Sequence, residues 1–232
     1  MWEDPLQRHA VAQLALRLIG RRCWPWVSLG AAATLPGQAA DLIAELTLHG
    51  AGCGGLSAAG AETLAAQLPL YGQWCRDLGG TGIRFTVPHD DLHSNNICLA
   101  GPSEDPMSDP AVNLLPAVPE ARTRVIDWAD ASIGHPFTTI LVTLRSIAHH
   151  RCCEVSDKRV QRARHAYLGP FTTCAPRSEL IAVADVAQRV GAAARASSWR
   201  AALLGTPTPV HGEYDFPMPG GRQELPLDPR KP

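Results

Sequence analysis

The sequence predicts an α+β protein, mostly helical, with one small antiparallel hairpin carrying the loops in which its polar chemistry gathers. Three observations lead there. Apolar residues recur at helical spacing from about residue 4 to residue 78 and again from Phe137 to Leu204. Between them stand only short apolar or alternating runs, "IRFTV", "ICLA" and "RVI". Two of these runs deliver aspartates at their exits, at "HDD" and at Asp127.

The elements follow in order. Asp4 can cap a first helix, with Pro5 at its first position, Gln7 at the capping-box spacing, and Val11, Leu14 and Leu18 on one face. A second helix is expected from about Gln38 to Leu48, ending at Gly50. Ser57 starts a third whose stripe is Leu64, Leu68, Tyr71, Cys75 and Leu78, kinked at Pro69 and stopped by Gly79 and Gly80. "IRFTV" then places Ile83, Phe85 and Val87 on one face of a short strand closed by Pro88. Residues 101–120 hold five prolines and read as an irregular loop insertion. Residues 124–126 form a strand ending at Asp127. Helices fill 137–204, with breaks near 151–156 and 169–176. The 205–232 tail has seven prolines and is expected to be disordered, which leaves 1–204 as one domain.

Composition excludes several classes. The chain has 232 residues, is 45% hydrophobic and 19% charged, and carries a formal net charge of -1. No basic block argues for nucleic acid, and no apolar run reaches the roughly 18 residues of a spanning helix. The start lacks the pattern of a secretory signal. Seven cysteines, with no CxxC pair, indicate neither a disulfide framework nor a zinc ribbon, and the adjacent pair at 152 and 153 reads as inert. The expected setting is the reducing cytoplasm. Of 21 basic residues only Lys158 and Lys231 are lysines, so a mechanism needing a lysine has almost nowhere to find one.

The chemistry concentrates in "VPHDDLHSNNI", residues 87–97. His89, Asp91, Leu92 and Asn96 satisfy H-x-D-L-x-x-x-N, a catalytic-loop spacing of kinases. Phosphoryl transfer needs a carboxylate to orient and deprotonate the attacking hydroxyl, which suits Asp91. It also needs hard oxygen ligands for Mg²⁺, which suit Asn96 and Asp127. Singly, such residues are ordinary turn and cap residues; it is the joint pattern that points to a site. His89 reads as a structural hydrogen-bonding residue. His93 stands four residues on, and a His pair at that spacing binds zinc on a helix, but Pro88 and the polar loop argue against a helix. Gly50, Gly52 and Gly55 satisfy G-x-G-x-x-G but follow a helical stretch rather than a strand, and so read as an interhelical loop. His135 and Pro136 shape the start of a helix, and the six tryptophans read as packing residues rather than a base-stacking platform.

"HDDLHSNNI" followed by "RVIDWADASIGHP" resembles the catalytic core of the aminoglycoside phosphotransferase and choline kinase-like family. "LPLYGQWCRDLGG", "LVTLRSIAHH" and "ARHAYLGPF" are similar to its flanking helices, so that the resemblance spans about residues 7–204. It implies a protein kinase-like large (C-terminal) lobe. It also implies Mg²⁺-dependent transfer of the γ-phosphate of ATP, with GTP an alternative, to a hydroxyl of a small molecule such as an aminoglycoside, an amino alcohol or a sugar. Asp130, Glu62 and Asp77 could then supply negative charge to a cationic acceptor.

The chain also departs from the family pattern. Asp90 stands where glycine is usual, and would either perturb Asp91 or point away from it. Thr139 replaces a common aspartate, which should weaken an anchor. Asn96 and Asp127 are separated more widely than is typical, because of the 101–120 loop. The nucleotide-clamping small lobe, with its strand lysine, is not recognisable. A truncated non-catalytic remnant or binding module is therefore the alternative, and an enzyme completed by a separate small-lobe partner is a third.

Overall fold

The computed structural model describes residues 2–19, 34–49, 55–100 and 122–203. It is mostly helical, with seven α-helices and a two-stranded antiparallel sheet among these residues. Helix α1 (Glu3–Ile19) starts before the expected cap. The Leu6 amide bonds the Trp2 carbonyl at 3.2 Å, and Asp4, already inside the helix, accepts from Arg8 at 2.9 Å. Its buried face also differs from the apolar stripe. Leu6, His9, Ala10 and Gln13 face inward, whereas Val11 is 52% exposed. Two buried polar residues on the inner face are what the apolar period could not register.

Helix α2 (Leu35–His49) buries Ala39 and Leu42. The single kinked helix expected from Ser57 is instead two. Ser57 does cap α3 (Ala58–Ala65), its Oγ accepting from the Gly60 amide at 3.1 Å. The chain then turns at 66–67, and Pro69 opens α4 (Leu68–Gly80). Proline has no N–H for the Ala65 carbonyl, yet loses nothing in a first helical turn, so a break with a fresh start replaces a kink. Tyr71, Trp74, Cys75 and Leu78 of α4 are buried, and the Tyr71 hydroxyl donates to the Val190 carbonyl at 3.1 Å. Burial pushes the Cys75 thiol up to about 11. The described cysteines, 75, 98, 152, 153 and 174, are all free thiols.

The strand expected at 83–87 is not one. Only a bridge between Thr86 and Gly134 forms, through reciprocal backbone bonds of 3.0 and 3.1 Å. Thr86 itself turns inward, its hydroxyl donating to the Gln13 carbonyl at 3.0 Å. Strands β1 (Ile97–Ala100) and β2 (Arg122–Val125) do pair, in register from Ile97 opposite Val125 to Ala100 opposite Arg122. The second strand begins and ends earlier than the alternation suggested. The 101–120 insertion, the 205–232 tail, Gly50 and Gly52 lie outside the described residues.

A 3-10 turn (Pro136–Thr139) leads into α5 (Ile140–His150), followed by α6 (Lys158–Leu168), a second 3-10 turn (Gly169–Thr173) and α7 (Arg177–Leu203). Both expected breaks are present. His135 caps the first turn, its Nδ1 accepting from the Phe137 amide at 3.2 Å. The core lies where α1, α4, α5, α6 and α7 meet, with Phe137, Tyr167 and Phe171 packed edge-on or tilted at 4.8 to 5.9 Å between ring centres. Full burial of side chains of this size is worth about 1.5–3 kcal/mol each. The polar loop is laid against this aromatic layer.

Candidate active site

Residues 88–93 have no regular structure, so something other than a ladder must satisfy their backbone groups. The surrounding elements supply it. The His89 amide donates to Thr139 Oγ1 at 3.2 Å, the Thr143 hydroxyl donates to the Leu92 carbonyl at 2.7 Å, and the Ser132 amide reaches the Pro88 carbonyl at 3.4 Å. Leu92 is wholly buried and serves as the apolar anchor of the loop. Thr139, expected to weaken the anchoring here, makes it. Its hydroxyl oxygen also accepts from Gln13 Nε2 at 3.3 Å, and the Tyr167 hydroxyl shares its single proton between Gln13 Oε1 (2.5 Å) and the Pro136 carbonyl (2.6 Å). Burial and the nearby Asp90 carboxylate hold Tyr167 well above the ordinary phenol range, so it remains a neutral donor.

His89 is fully buried. Its Nε2 bonds the Ile126 carbonyl at 2.8 Å and its ring faces Trp128 at 4.8 Å, which ties the loop to the exit of β2. That is the structural role the sequence suggested. His93 caps the 3-10 turn at 94–96, Nδ1 accepting from the Asn95 amide at 3.3 Å; in the neutral ring this leaves the proton on Nε2, 3.4 Å from Asp91 Oδ2. His93 is thus bound into the loop beside Asp91 and Asn96. His89 Nε2 is engaged by the Ile126 carbonyl and His93 Nδ1 by the Asn95 amide, and among the described residues no three His, Cys, Asp or Glu side chains are placed to hold a metal ion together.

Asn96 is buried and donates Nδ2 to the Asp91 carbonyl at 3.0 Å, while its own carbonyl accepts from the Ile126 amide at 3.0 Å. The hairpin register therefore sets Asn96 directly across from Ile126, with Asp127 next in line. Asp127, two residues past the end of β2, is exposed and has a left-handed backbone with φ 59°. Neither its carboxylate nor Asn96 Oδ1 takes a hydrogen bond among the described residues. Asn96 and Asp127 carry hard oxygen groups of the kind Mg²⁺ accepts, one or two from protein with the rest from water and phosphate.

Asp90 also has a left-handed backbone, with φ 57°. It points away from Asp91, and its two oxygens accept from the Ser132 and Thr138 hydroxyls at 2.8 Å each. Burial raises its proton affinity above that of an ordinary aspartate, with the two hydroxyls and Arg195 opposing. Asp91 is paired with Arg195 of α7, whose Nη2 lies 2.6 Å from Oδ1. The same guanidinium donates to the Asp90 carbonyl at 2.7 Å and stands 3.9 Å from Asp130.

Of the acidic residues suggested for a cationic acceptor, Asp130 therefore belongs to the site. Glu62 and Asp77 sit on exposed faces of α3 and α4, and Asp77 is engaged by Gln73 at 2.7 Å. A cavity of about 20 Å³ between α2, α3, α4 and Ala193 is wholly apolar and too small for an acceptor. Sequence reasoning missed Arg195, Ser132 and Thr138. Each lies in a stretch whose local pattern is that of an ordinary helix or turn, and only the fold brings it to the loop.

Comparison with protein-family models, curated proteins and solved structures gives no match for the chain.

Proposed function

We propose that this chain is the large helical lobe of a protein kinase-like phosphotransferase that moves the γ-phosphate of ATP, or of GTP, to a hydroxyl of a small molecule. One observation carries the reading. The Ile126 amide bonds the Asn96 carbonyl, which sets Asn96 across from the residue just before Asp127, while Asn96 is bonded to the backbone of Asp91. Asp91 is the base: its carboxylate accepts the proton of the acceptor hydroxyl and aims that oxygen at the phosphate. Asn96 and Asp127 would hold Mg²⁺, which neutralises charge on the phosphate oxygens. His89, Thr139 and Thr143 keep the loop rigid. Asp130 gives the rim a negative charge suited to a cationic acceptor.

A second reading is favoured by the apolar residues on either side of Asp127. Ile126 and Trp128 are 45% and 40% exposed, a pattern suited to a surface completed by a separate small-lobe polypeptide or retained for binding alone. Calorimetric titration with ATP and Mg²⁺, in parallel with Asp127→Ala, separates the two. Micromolar binding that disappears in the variant supports a working metal site, and Asp91→Asn should then lower kcat by about 10²–10⁴. No binding in either protein removes the catalytic reading for this chain alone.

A further inference from the structure

Arg195 lies 104 residues from Asp91 in the chain, yet its side chain is only 17% exposed and its guanidinium grips the loop at two points. Nη2 holds Asp91 Oδ1 at 2.6 Å and Nη1 holds the Asp90 carbonyl at 2.7 Å. The second contact falls on the residue whose left-handed backbone turns the chain into Asp91, so one rigid fork sets both the peptide and the carboxylate. Asp91 Oδ1 is committed by this pair, whereas Oδ2 has, among the described residues, only the longer 3.4 Å contact with His93. Oδ2 is thus the oxygen left to meet an incoming hydroxyl. Arg195 also places its charge among Asp90, Asp91 and Asp130, which would otherwise repel one another.

We propose that Arg195 is a positioning residue, which fixes Asp91 so that Oδ2 faces the substrate and keeps the carboxylate from turning away from the acceptor. The catalytic part of this inference rests on the phosphotransfer reading; the part concerning loop geometry does not. Lysine cannot replace it fully, because a single ammonium does not reproduce the planar fork that spans the carbonyl and the carboxylate.

The test compares the full chain with Arg195→Ala, Arg195→Lys, Asp91→Asn and the Arg195→Ala/Asp91→Asn pair. Thermal unfolding, amide hydrogen exchange across residues 89–96, and turnover of ATP with Mg²⁺ are measured for each. Arg195→Ala should raise exchange of the loop amides about tenfold or more while α5 and α6 exchange as before, with Arg195→Lys between. The Ala change should do much less in the Asp91→Asn background, since the two residues act as one unit. Turnover should fall roughly 10²-fold with KM for ATP unchanged, as expected of a displaced base, and guanidinium ion should restore part of it. Unchanged loop exchange in Arg195→Ala, or equal loosening with and without the Asp91 carboxylate, overturns the inference. A wild-type chain that does not turn over ATP sinks the phosphotransfer reading for this chain alone, and the exchange measurements still decide the role of Arg195.

Discussion

At the scale of single residues, Asp90 shows how a site can accept an unexpected side chain. Its φ of 57° suits glycine or asparagine best, and aspartate is tolerated there because its short side chain finds two hydroxyl donors. Its raised proton affinity has a definite sign for stability. The folded state takes the proton more readily than the unfolded chain, so this group stabilises the fold as pH falls through its folded pKa, and opposes folding above it. Asp90→Asn keeps the backbone aptitude, keeps an acceptor for Thr138 and removes the buried charge. Its unfolding midpoint at pH 7 should be equal to or above that of the wild type, with the difference shrinking as pH is lowered toward 4. Asp90→Ala, which takes its acceptor from the Ser132 hydroxyl and leaves Thr138 only the His135 carbonyl, should lose about 1–3 kcal/mol in urea denaturation. An asparagine variant clearly less stable at pH 7 would refute this account. That Asp90 is unusual in the motif the loop resembles was legible in the sequence, but whether it perturbs Asp91 or points away was not. That it faces Ser132 and Thr138 was not, since those partners lie 42 and 48 positions away.

At the scale of elements, α7 crosses the 3-10 turn at 136–139 where it presents no side chain. A Cβ at Gly191 would sit 3.3 Å from Thr138 Cβ, so glycine there permits the approach that brings Thr138 to Asp90. Gly191→Ala gains about 1 kcal/mol of helix propensity, which offsets a small displacement of Thr138, and should leave stability nearly unchanged. Gly191→Val should lose about 1–3 kcal/mol by overpacking and, through Thr138, should speed amide exchange around Asp90. Equal stability of the two variants by urea denaturation would argue against a close crossing. Helix positions were largely readable, because proline, glycine and capping residues act on the nearest few peptide groups; Ser57, His135 and the breaks after α5 and α6 are examples. The inner face of α1 was not, because His9 and Gln13 are buried only by what packs over them.

Over the whole molecule, two histidines couple the fold to pH. Burial lowers both His9 and His135 to about 3, so both are neutral in the folded protein. The unfolded chain binds protons at these positions below about 6.5. Their contribution is therefore complete above that value and is lost as pH falls from there toward 3, at roughly 3 kcal/mol per pH unit for the pair once the unfolded forms are protonated. Urea midpoints measured from pH 7 to 4 should fall steeply, and His135→Asn, which keeps a capping acceptor for the Phe137 amide, should flatten the slope. A flat profile would mean that these rings are not closed off from water.

The sequence by itself determined the mostly helical α+β class, the positions of most helices, the antiparallel hairpin and the loop that carries Asp91 and Asn96. These depend on periodicity and on residues that constrain their own neighbourhood, and no described helix is long and apolar enough to cross a membrane. Only the tertiary structure decided that residues 83–87 make one bridge rather than a strand, that Asp90 turns toward Thr138, and that Arg195 closes on Asp91 across 104 positions. Each of these depends on which polar groups lose water when distant segments pack. That loss exists only once the segments have met.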